Sequence, residues 1–262
     1  MVKKGCVLMK INRIQAIYTH LKDVGSISID ELCDRYGVSK NTIRRDIAEL
    51  AKDGLIHKVY GGITLAEKNN GTPEIVSERE NRETEVKKRI AKAAAGYVES
   101  GDVIYIDSGT TTMHMIPFLA QLSKVTVVTA SLFVVNACAG HTNINVIGTG
   151  GLFYHPSNSF IGTPVIRCIE KCNIAKTFFA ATGVSLESGA ANASPAEAEI
   201  KRKLMEKTGM KYLLADHSKF EKNALMTYGE LKDFDVILSD GLPPESYRDY
   251  FAEHRVEYVD VT

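Results

Sequence analysis

Apolar residues recur at three- and four-residue steps near the start of the chain. Ile11, Ile14, Ile17, Tyr18 and Leu21 line one face of a helix that Gly25 ends. A second, shorter helix is predicted from Asp30 to Tyr36, with Leu32, Cys33 and Tyr36 turned inward. Gly37-Val38 is a turn in which glycine accepts a positive φ. Ser39 is a good N-cap for a third helix, whose buried stripe is Ile43, Ile47 and Leu50. Lys52-Asp53-Gly54 ends it, and Leu55–Val59 with Gly62–Leu65 form a two-stranded wing around Tyr60-Gly61-Gly62. The pattern then changes. Ala66–Pro73 is polar with Gly and Pro, as linkers are. Beyond it, short apolar runs alternate with helical stretches: Val103–Ile106, Val125–Thr129, Asn145–Ile147, Lys176–Ala181, Tyr212–Ala215 and Val236–Ser239. They predict a mostly parallel sheet covered on both faces. The chain is therefore expected to be α/β in class, with a head over 1–65, a linker over 66–73 and a larger body over 74–262.

Composition adds bounds. A chain of 262 residues, 44% hydrophobic and 24% charged, has the make-up of a globular protein of two domains. It is long enough to bury a core without disulfides or metals. The five cysteines are odd in number and scattered, with no C-x-x-C pair, which suits reduced thiols in a cytosolic protein. Seven histidines stand singly, so no metal site, catalytic triad or cofactor is expected. The Met-Val-Lys-Lys-Gly start lacks an apolar stretch of signal-peptide length, and no apolar run approaches the roughly 20 residues that span a bilayer. A cytoplasmic location is the expectation. Net charge is zero, yet the first 60 residues hold 11 Lys+Arg against 7 Asp+Glu, and the rest hold 21 against 25. A basic head on an acidic body suits a head that meets phosphates.

The third helix carries the head's chemistry. Asn41, Arg44, Arg45 and Ala48 share a face away from the buried stripe. Two helices joined by a tight turn, the second presenting Asn and paired Arg, suit a DNA major groove, where Arg pairs with guanine and Asn with adenine. Ser39, Lys40 and Thr42 at the helix start suit phosphates. His57, Lys58 and Tyr60 of the wing suit the backbone beside the groove. A solvated basic face would explain Arg44-Arg45 alone, but the whole order of helix, turn, Ser-capped basic helix and Gly-Gly wing favours DNA.

The run Arg13-x3-Ile17-x3-Leu21, then Val38-Ser39-x-x-Thr42-Ile43-Arg44-Arg45-Asp46-x-x-x-Leu50-x-x-x-Gly54-Leu55-Ile56, then Gly61-Gly62, resembles the winged helix-turn-helix of the DeoR family of bacterial sugar-metabolism regulators. One departure is Lys58, where that family usually has Arg, a bidentate donor that Lys is not.

In the body, Ile104-Tyr105-Ile106-Asp107 meets Ser108-Gly109-Thr110-Thr111-Thr112, and Met113–Leu122 reads as a helix. A strand, a hydroxyl-rich loop and a helix start together make an anion site, because amides, hydroxyls and the helix dipole all favour negative charge. Four hydroxyls in five positions favour phosphate over a simple helix cap. Neither G-x-x-x-x-G-K nor G-x-G-x-x-G is present, which disfavours a nucleotide. Further candidates follow other predicted strands: Thr129 and Ser131, Gly150-Gly151, Gly183, and Asp216 with Lys219. Glu197 and Glu199 lie on a helix start after Pro195, pointing to different sides, so one of them faces the ligand. Parallel sheets bind ligands beyond the carboxyl ends of their strands, where these residues converge. Asp and Glu suit sugar hydroxyls, and Lys219 suits a phosphate or carbonyl oxygen.

The body also resembles the DeoR sensor domain through Glu78-Arg79, Lys87-x-x-Ile90-Ala91, Asp107–Thr112, Gly150-Gly151 and Leu214-Ala215-Asp216-His217-Ser218-Lys219. That sensor is similar to ribose-5-phosphate isomerase and the sugar-phosphate deaminases. The resemblance implies that Ser108–Thr112 takes a phosphate and that Asp216 and Lys219 lie by the sugar. The family's usual Thr-Asn-Ser is Thr129-Ala130-Ser131 here.

Three functions are weighed. A sugar-phosphate isomerase with a DNA-binding head would need a general base and an acid at the reacting carbons. The isomerases' D-G-A-D-E run is replaced by Ala181-Thr182-Gly183-Val184-Ser185-Leu186-Glu187, with no Asp. A pure oligomerisation platform does not explain the hydroxyl loop. The favoured reading is a transcriptional regulator, a repressor in the commoner pattern. Its partners are double-stranded operator DNA, a phosphorylated sugar effector and further copies of itself as a homo-oligomer.

Overall fold

The computed structural model describes residues 13–14, 16–21, 24, 26–52, 56–59, 62–65, 76, 79 and 82–262. The chain forms two compact units, Met1–Asn69 and Asn70–Thr262. Ile11, Gly25, Asp53-Gly54, Leu55, Tyr60-Gly61 and the linker 66–73 lie outside the described residues.

In the first unit, residues 13–14 and 16–21 are helical (α1). The strand β1 (Ser26–Ser28) leads into α2 (Ile29–Tyr36) through a capping box, in which Ser28 Oγ accepts from Glu31 N at 3.1 Å and Glu31 Oε2 accepts from Ser28 N at 2.9 Å. Gly37, at φ 63°, makes the turn, and α3 (Lys40–Lys52) follows. Ser39 stands at its start, its Oγ accepting from Thr42 N at 3.4 Å. β2 (Ile56–Val59) and β3 (Gly62–Leu65) form the predicted wing. The structure adds a third strand, since β1 pairs antiparallel with β3. Three residues between two helices are too few to show a period, so the sequence pattern did not reveal β1. Ile17, Leu21, Leu32, Ile43, Ile47, Leu50, Ile56 and Ile63 form the head's own core.

The second unit is built on a seven-stranded sheet. Its strands are β4 (Val103–Ile106), β5 (Val125–Thr129), β6 (Ile144–Gly148), β9 (Lys176–Ala180), β12 (Met210–Leu214), β14 (Val236–Ser239) and β15 (Glu257–Asp260), in the order β15-β14-β12-β9-β4-β5-β6. Every pairing in it is parallel. Alternate residues go to opposite faces. Ile104, Ile106, Val127, Phe178, Tyr212 and Leu214 meet α4 (Thr84–Ala95) and α5 (Ile116–Leu119). Tyr105, Val128, Phe179, Leu213 and Ile237 meet α7 (Thr163–Lys171), α8 (Pro195–Lys207) and α9 (Glu245–His254). The helix α6 (Leu132–Cys138) starts at Ser131. Two small antiparallel sheets are added: β7 (Leu152–Tyr154) with β8 (Ser159–Ile161), and β10 (Gly183–Ser185), β11 (Gly189–Asn192) and β13 (Met226–Gly229). Among the described residues, no helix is long and apolar enough to cross a membrane.

Candidate nucleic-acid interface and anion site

In α3 the buried stripe and the outward face separate as 3.6-residue geometry requires. Ile43, Ile47 and Leu50 are buried, whereas Asn41, Arg44 and Arg45 are exposed. Asp46, next to the two arginines, turns inward, and its carboxylate receives Arg13. Ser39 Oγ and Thr42 Oγ1 lie 3.1 Å apart at the helix start. Lys40, exposed, is drawn to Asp30, with Nζ 2.5 Å from Oδ1, and this bond holds the ammonium above its ordinary value. Lys58 is described by its backbone in β2 alone, and Tyr60 lies outside the described residues.

Five strands of the main sheet (β4, β5, β6, β9 and β12) end in candidate ligand residues. Asp107 follows β4, and its carboxylate is taken up by the protein: Oδ1 accepts from Ser108 N at 2.8 Å, and Oδ2 from Ala180 N at 2.9 Å and Lys201 Nζ at 2.7 Å. Asp107 and Lys201 side chains are each 5% exposed. The acid therefore anchors the loop from beneath, which differs from the direct ligand role expected of it. Gly109 is needed for close approach, because a Cβ there would stand 2.2 Å from Ala180 Cβ.

The loop's hydroxyls divide into two sets. Thr112 Oγ1 is turned inward, donating to the carbonyls of Asp107 at 2.8 Å and Gly109 at 3.0 Å. Ser108 Oγ donates to Glu197 Oε1 at 3.0 Å. By contrast, the hydroxyls of Thr110 and Thr111, and the amides of Gly109, Thr110 and Thr111, make no hydrogen bond with a described residue. Those five donors are the loop's capacity for an anion. One expectation is corrected here: Met113–Leu122 is not a long helix but a 3₁₀ turn over Thr112–Met115 followed by the single turn of α5, with Pro117 at its start. Pro117 lacks an amide donor, and so short a helix has little dipole, so backbone amides and hydroxyls must do what the helix end was expected to do.

Thr129 and Ser131 also depart from a ligand role. Thr129 Oγ1 donates to Ile106 O at 2.7 Å and accepts from Ser131 N at 3.0 Å, while Ser131 Oγ caps α6 through Val134 N at 3.4 Å. Both are buried structural ties. Gly151 and Gly183 serve backbone packing: a Cβ would stand 2.7 Å from Ile161 O and 2.4 Å from Lys222 O, respectively.

Glu197 is buried on α8, with Oε1 on Ser108 and Oε2 3.5 Å from Asn192 Nδ2, and Glu199 is exposed on the far side. Asp216, buried after β12, caps the short turn His217–Lys219 by accepting from Ser218 N at 3.0 Å and from Ser218 Oγ. Lys219 is half-buried beside it. His217 Nδ1 lies 2.6 Å from Asp240 Oδ2, a bond that raises its pKa. Sequence reasoning missed Lys201. The signal was its i+4 spacing from Glu197, which places both on one face of α8. Among the described residues no group of three or more His, Cys, Asp or Glu is arranged for a metal, and Cys33, Cys138, Cys168 and Cys172 are free thiols.

Two family descriptions match the chain: "DeoR-like helix-turn-helix domain" over residues 13–69 and "DeoR C terminal sensor domain" over 82–241. Full-length relatives agree. The HTH-type transcriptional regulator IolR of Bacillus subtilis is 39% identical over 248 residues, 95% of this chain and 98% of that one. The L-fucose operon activator of Haemophilus influenzae is 29% identical, covering 94% and 98%. The glycerol-3-phosphate regulon repressor of Escherichia coli is 28% identical, covering 95% and 98%. These relatives are regulators, not enzymes. Among solved structures, ribose 5-phosphate isomerase A of Methanocaldococcus jannaschii is similar over 52% of this chain and 54% of its own, at 16% identity and a TM-score of 0.39.

Proposed function

The chain belongs to the DeoR family of transcriptional regulators, and on that premise we propose that it represses a carbohydrate-metabolism operon until a phosphorylated sugar enters the body. It acts in the cytoplasm as a homo-oligomer. A head over 1–65 reads the operator, a linker over 66–73 follows, and a body over 74–262 senses and associates. In the head, Asn41, Arg44 and Arg45 enter the major groove, while Ser39, Lys40, Thr42, Lys58 and Tyr60 meet the DNA backbone. Paired heads then engage half-sites about one helical turn apart.

The observation that carries the effector half is the Ser108–Thr112 loop, with three amides and two threonine hydroxyls unbonded within the described residues. Such a nest suits a phosphate. Glu197, Asp216 and Lys219 suit the sugar's polar groups, with Asp107, Thr112, Thr129, Ser131, Gly151 and Gly183 shaping the walls. An effector that prefers one arrangement of the heads changes DNA affinity by the coupling between its site and theirs.

The test is a thermal-shift screen of the whole protein against sugar phosphates and their free sugars. Ligand at 100 times its Kd stabilises by about 2.7 kcal/mol. One phosphorylated sugar should raise the melting temperature where its free sugar does not. A protein that responds equally to both, or to neither, has no phosphate-reading loop.

A further inference from the structure

Glu197 and Asn192 are both buried beside the anion loop, at 9% and 7% exposure, and the protein leaves part of their hydrogen-bonding capacity unused. Glu197 lies in the first turn of α8, and its Oε1 meets the loop through Ser108 Oγ at 3.0 Å. Its other oxygen, Oε2, has one donor within reach among the described residues, Asn192 Nδ2 at 3.5 Å. That is longer than the usual N–H···O range of about 2.7–3.2 Å, so neither partner is well satisfied. An ionised carboxylate offers about four acceptor sites. Among the described residues no cation pairs with Glu197, because Lys201, one turn along the same helix face, is taken by Asp107. The positive end of α8 offsets part of the cost of burying the charge, and the rest calls for donors.

Asn192 is held so that its NH2 group alone is on offer. Its Oδ1 accepts from Thr182 Oγ1 and from Ala193 N, each at 2.9 Å. Those two bonds fix which end of the amide is which, and they turn Nδ2, with its two hydrogens, toward Glu197. Asn192 ends β11, Thr182 links β9 to β10, and Ser108 follows β4. The row of Ser108, Glu197, Asn192 and Thr182 therefore runs along the carboxyl ends of the neighbouring strands β4 and β9. A charged acceptor and a donor thus stand side by side next to the phosphate loop. An ammonium would suit the carboxylate but has no lone pair for the Asn192 amide. Two neighbouring oxygens suit both: a hydroxyl donates to Glu197 Oε2, and the oxygen beside it, hydroxyl or carbonyl, accepts from Asn192 Nδ2.

We propose that Asn192 and Glu197 together form the specificity subsite of the effector pocket, and that the effector carries two neighbouring oxygens, a hydroxyl and a second hydroxyl or a carbonyl, which the pair reads at once. Thr182 is a positioning residue that acts through the Asn192 amide. This rests on the effector reading above and deepens it. The loop takes the phosphate, and the pair selects among phosphorylated sugars by their oxygens.

Calorimetric titration of the full-length protein tests this with four probes: inorganic phosphate, ribose 5-phosphate, glucose 6-phosphate and glucosamine 6-phosphate. Ribose 5-phosphate or glucose 6-phosphate should bind about tenfold or more tighter than inorganic phosphate, as hydrogen bonds to a buried charged group imply. Glucosamine 6-phosphate should bind no tighter than glucose 6-phosphate. Glu197→Gln keeps the shape and the bond from Ser108 but sets a second NH2 where the acceptor was. It should cut the sugar phosphate's margin over inorganic phosphate to about threefold or less, while inorganic phosphate binds no more weakly, because a negative charge has left the loop. A Glu197 that merely braced the loop would give the reverse, weaker phosphate binding and an unaltered margin. Asn192→Ala should shrink the same margin; should its melting temperature show that it is misfolded, the isosteric Glu197→Gln decides alone. If the margin survives Glu197→Gln, if the amine is preferred, or if phosphate binds and neither sugar phosphate binds more tightly, this inference fails and the phosphate loop stands. If no probe binds, inorganic phosphate included, the effector reading itself fails, and this inference with it.

Discussion

Arg13 and Asp46 form a two-pronged ion pair, Nε to Oδ2 at 2.6 Å and Nη2 to Oδ1 at 3.2 Å, which ties α1 to α3. Asp46 is 1% exposed. The Arg44-Arg45-Asp46 run thus splits by helix geometry, with two cations outward and one anion inward. Breaking a buried pair by removing one partner leaves a charge without compensation and costs about 3–5 kcal/mol. Asp46→Ala should therefore unfold the small head at much lower temperature while leaving the body intact. Calorimetry of the full chain checks this, through a lowered head transition and an unchanged body transition. A head transition that does not move would mean the pair is ornamental.

Arg44→Ala and Arg45→Ala differ from that, because both side chains are exposed and outside the head's core. Each should leave folding unchanged and weaken operator binding by about 1–3 kcal/mol, relaxing preference at one base position. Binding titrations on the operator and on singly substituted operators read this. Equal affinity for every sequence in wild type and variant would remove α3 from the groove.

Much of this was legible before any coordinates. Six of the seven strands of the main sheet fall on the apolar runs, and for the inner five the reason is that a parallel strand covered on both faces is mostly apolar. The seventh, β15, reads Glu-Tyr-Val-Asp, and its two exposed acidic ends leave only Tyr258-Val259 between them, too short a run to read. β11, Gly-Ala-Ala-Asn, has no β-forming side chains and exists through pairing alone. At the site, the residue types announced a hydroxyl loop, but not which hydroxyls turn inward. Thr112 and Thr129 bond to backbone carbonyls supplied by the tertiary fold. Lys201 was passed over for a related reason: its i+4 spacing puts it beside Glu197, but in Lys201-Arg202-Lys203 it reads as a solvated cation, and the sheet end at Asp107 is what buries it.

Lys40 links the interface to salt. Its ammonium is held by Asp30 at 2.5 Å in an exposed pair, and solvent screens such pairs strongly, so a DNA phosphate can displace the carboxylate. Lys40→Ala should weaken binding to all sequences alike and reduce the slope of log affinity against log salt by about 1. Asp30→Asn should do the reverse in affinity, since Lys40 is then released. Salt titrations of operator binding decide, and an unchanged slope in Lys40→Ala would exclude a phosphate contact.

His217 gives the body a pH-dependent charge. The hydrogen bond to Asp240 is the main cause that raises its pKa from 6.5, and burial opposes it. A raised folded-state value means that the pair's contribution is complete below the unfolded value and is lost as pH rises through the folded one. The imidazole proton signal should titrate with a midpoint above 6.5 in the wild type and move down in Asp240→Asn. A midpoint that ignores the Asp240 substitution would mean that the 2.6 Å contact is not made in solution.

Lys201 holds the anion loop without touching a ligand. Its Nζ donates to Asp107 Oδ2 at 2.7 Å and to Ala180 O at 2.5 Å, and it lies 4.9 Å from the centre of the Tyr228 ring. Asp107 in turn accepts from the amides of Ser108 and Ala180, so the charge pair fixes where the loop leaves β4. Lys201→Met keeps the stem but strands a buried carboxylate, and about 3–5 kcal/mol of body stability should go with it. Adding Asp107→Asn removes the stranded charge, so the double variant should recover part of the loss, and the coupling energy between the two positions should exceed about 0.5 kcal/mol. Effector binding should stay weakened in the double variant, because the amides are no longer aimed by an anion, while operator affinity remains at the wild-type level. Denaturant melts, effector titrations and operator titrations on the four proteins of this cycle separate the cases. If the two substitutions add with no coupling, the ion pair does not organise the loop, whatever the distance between its atoms.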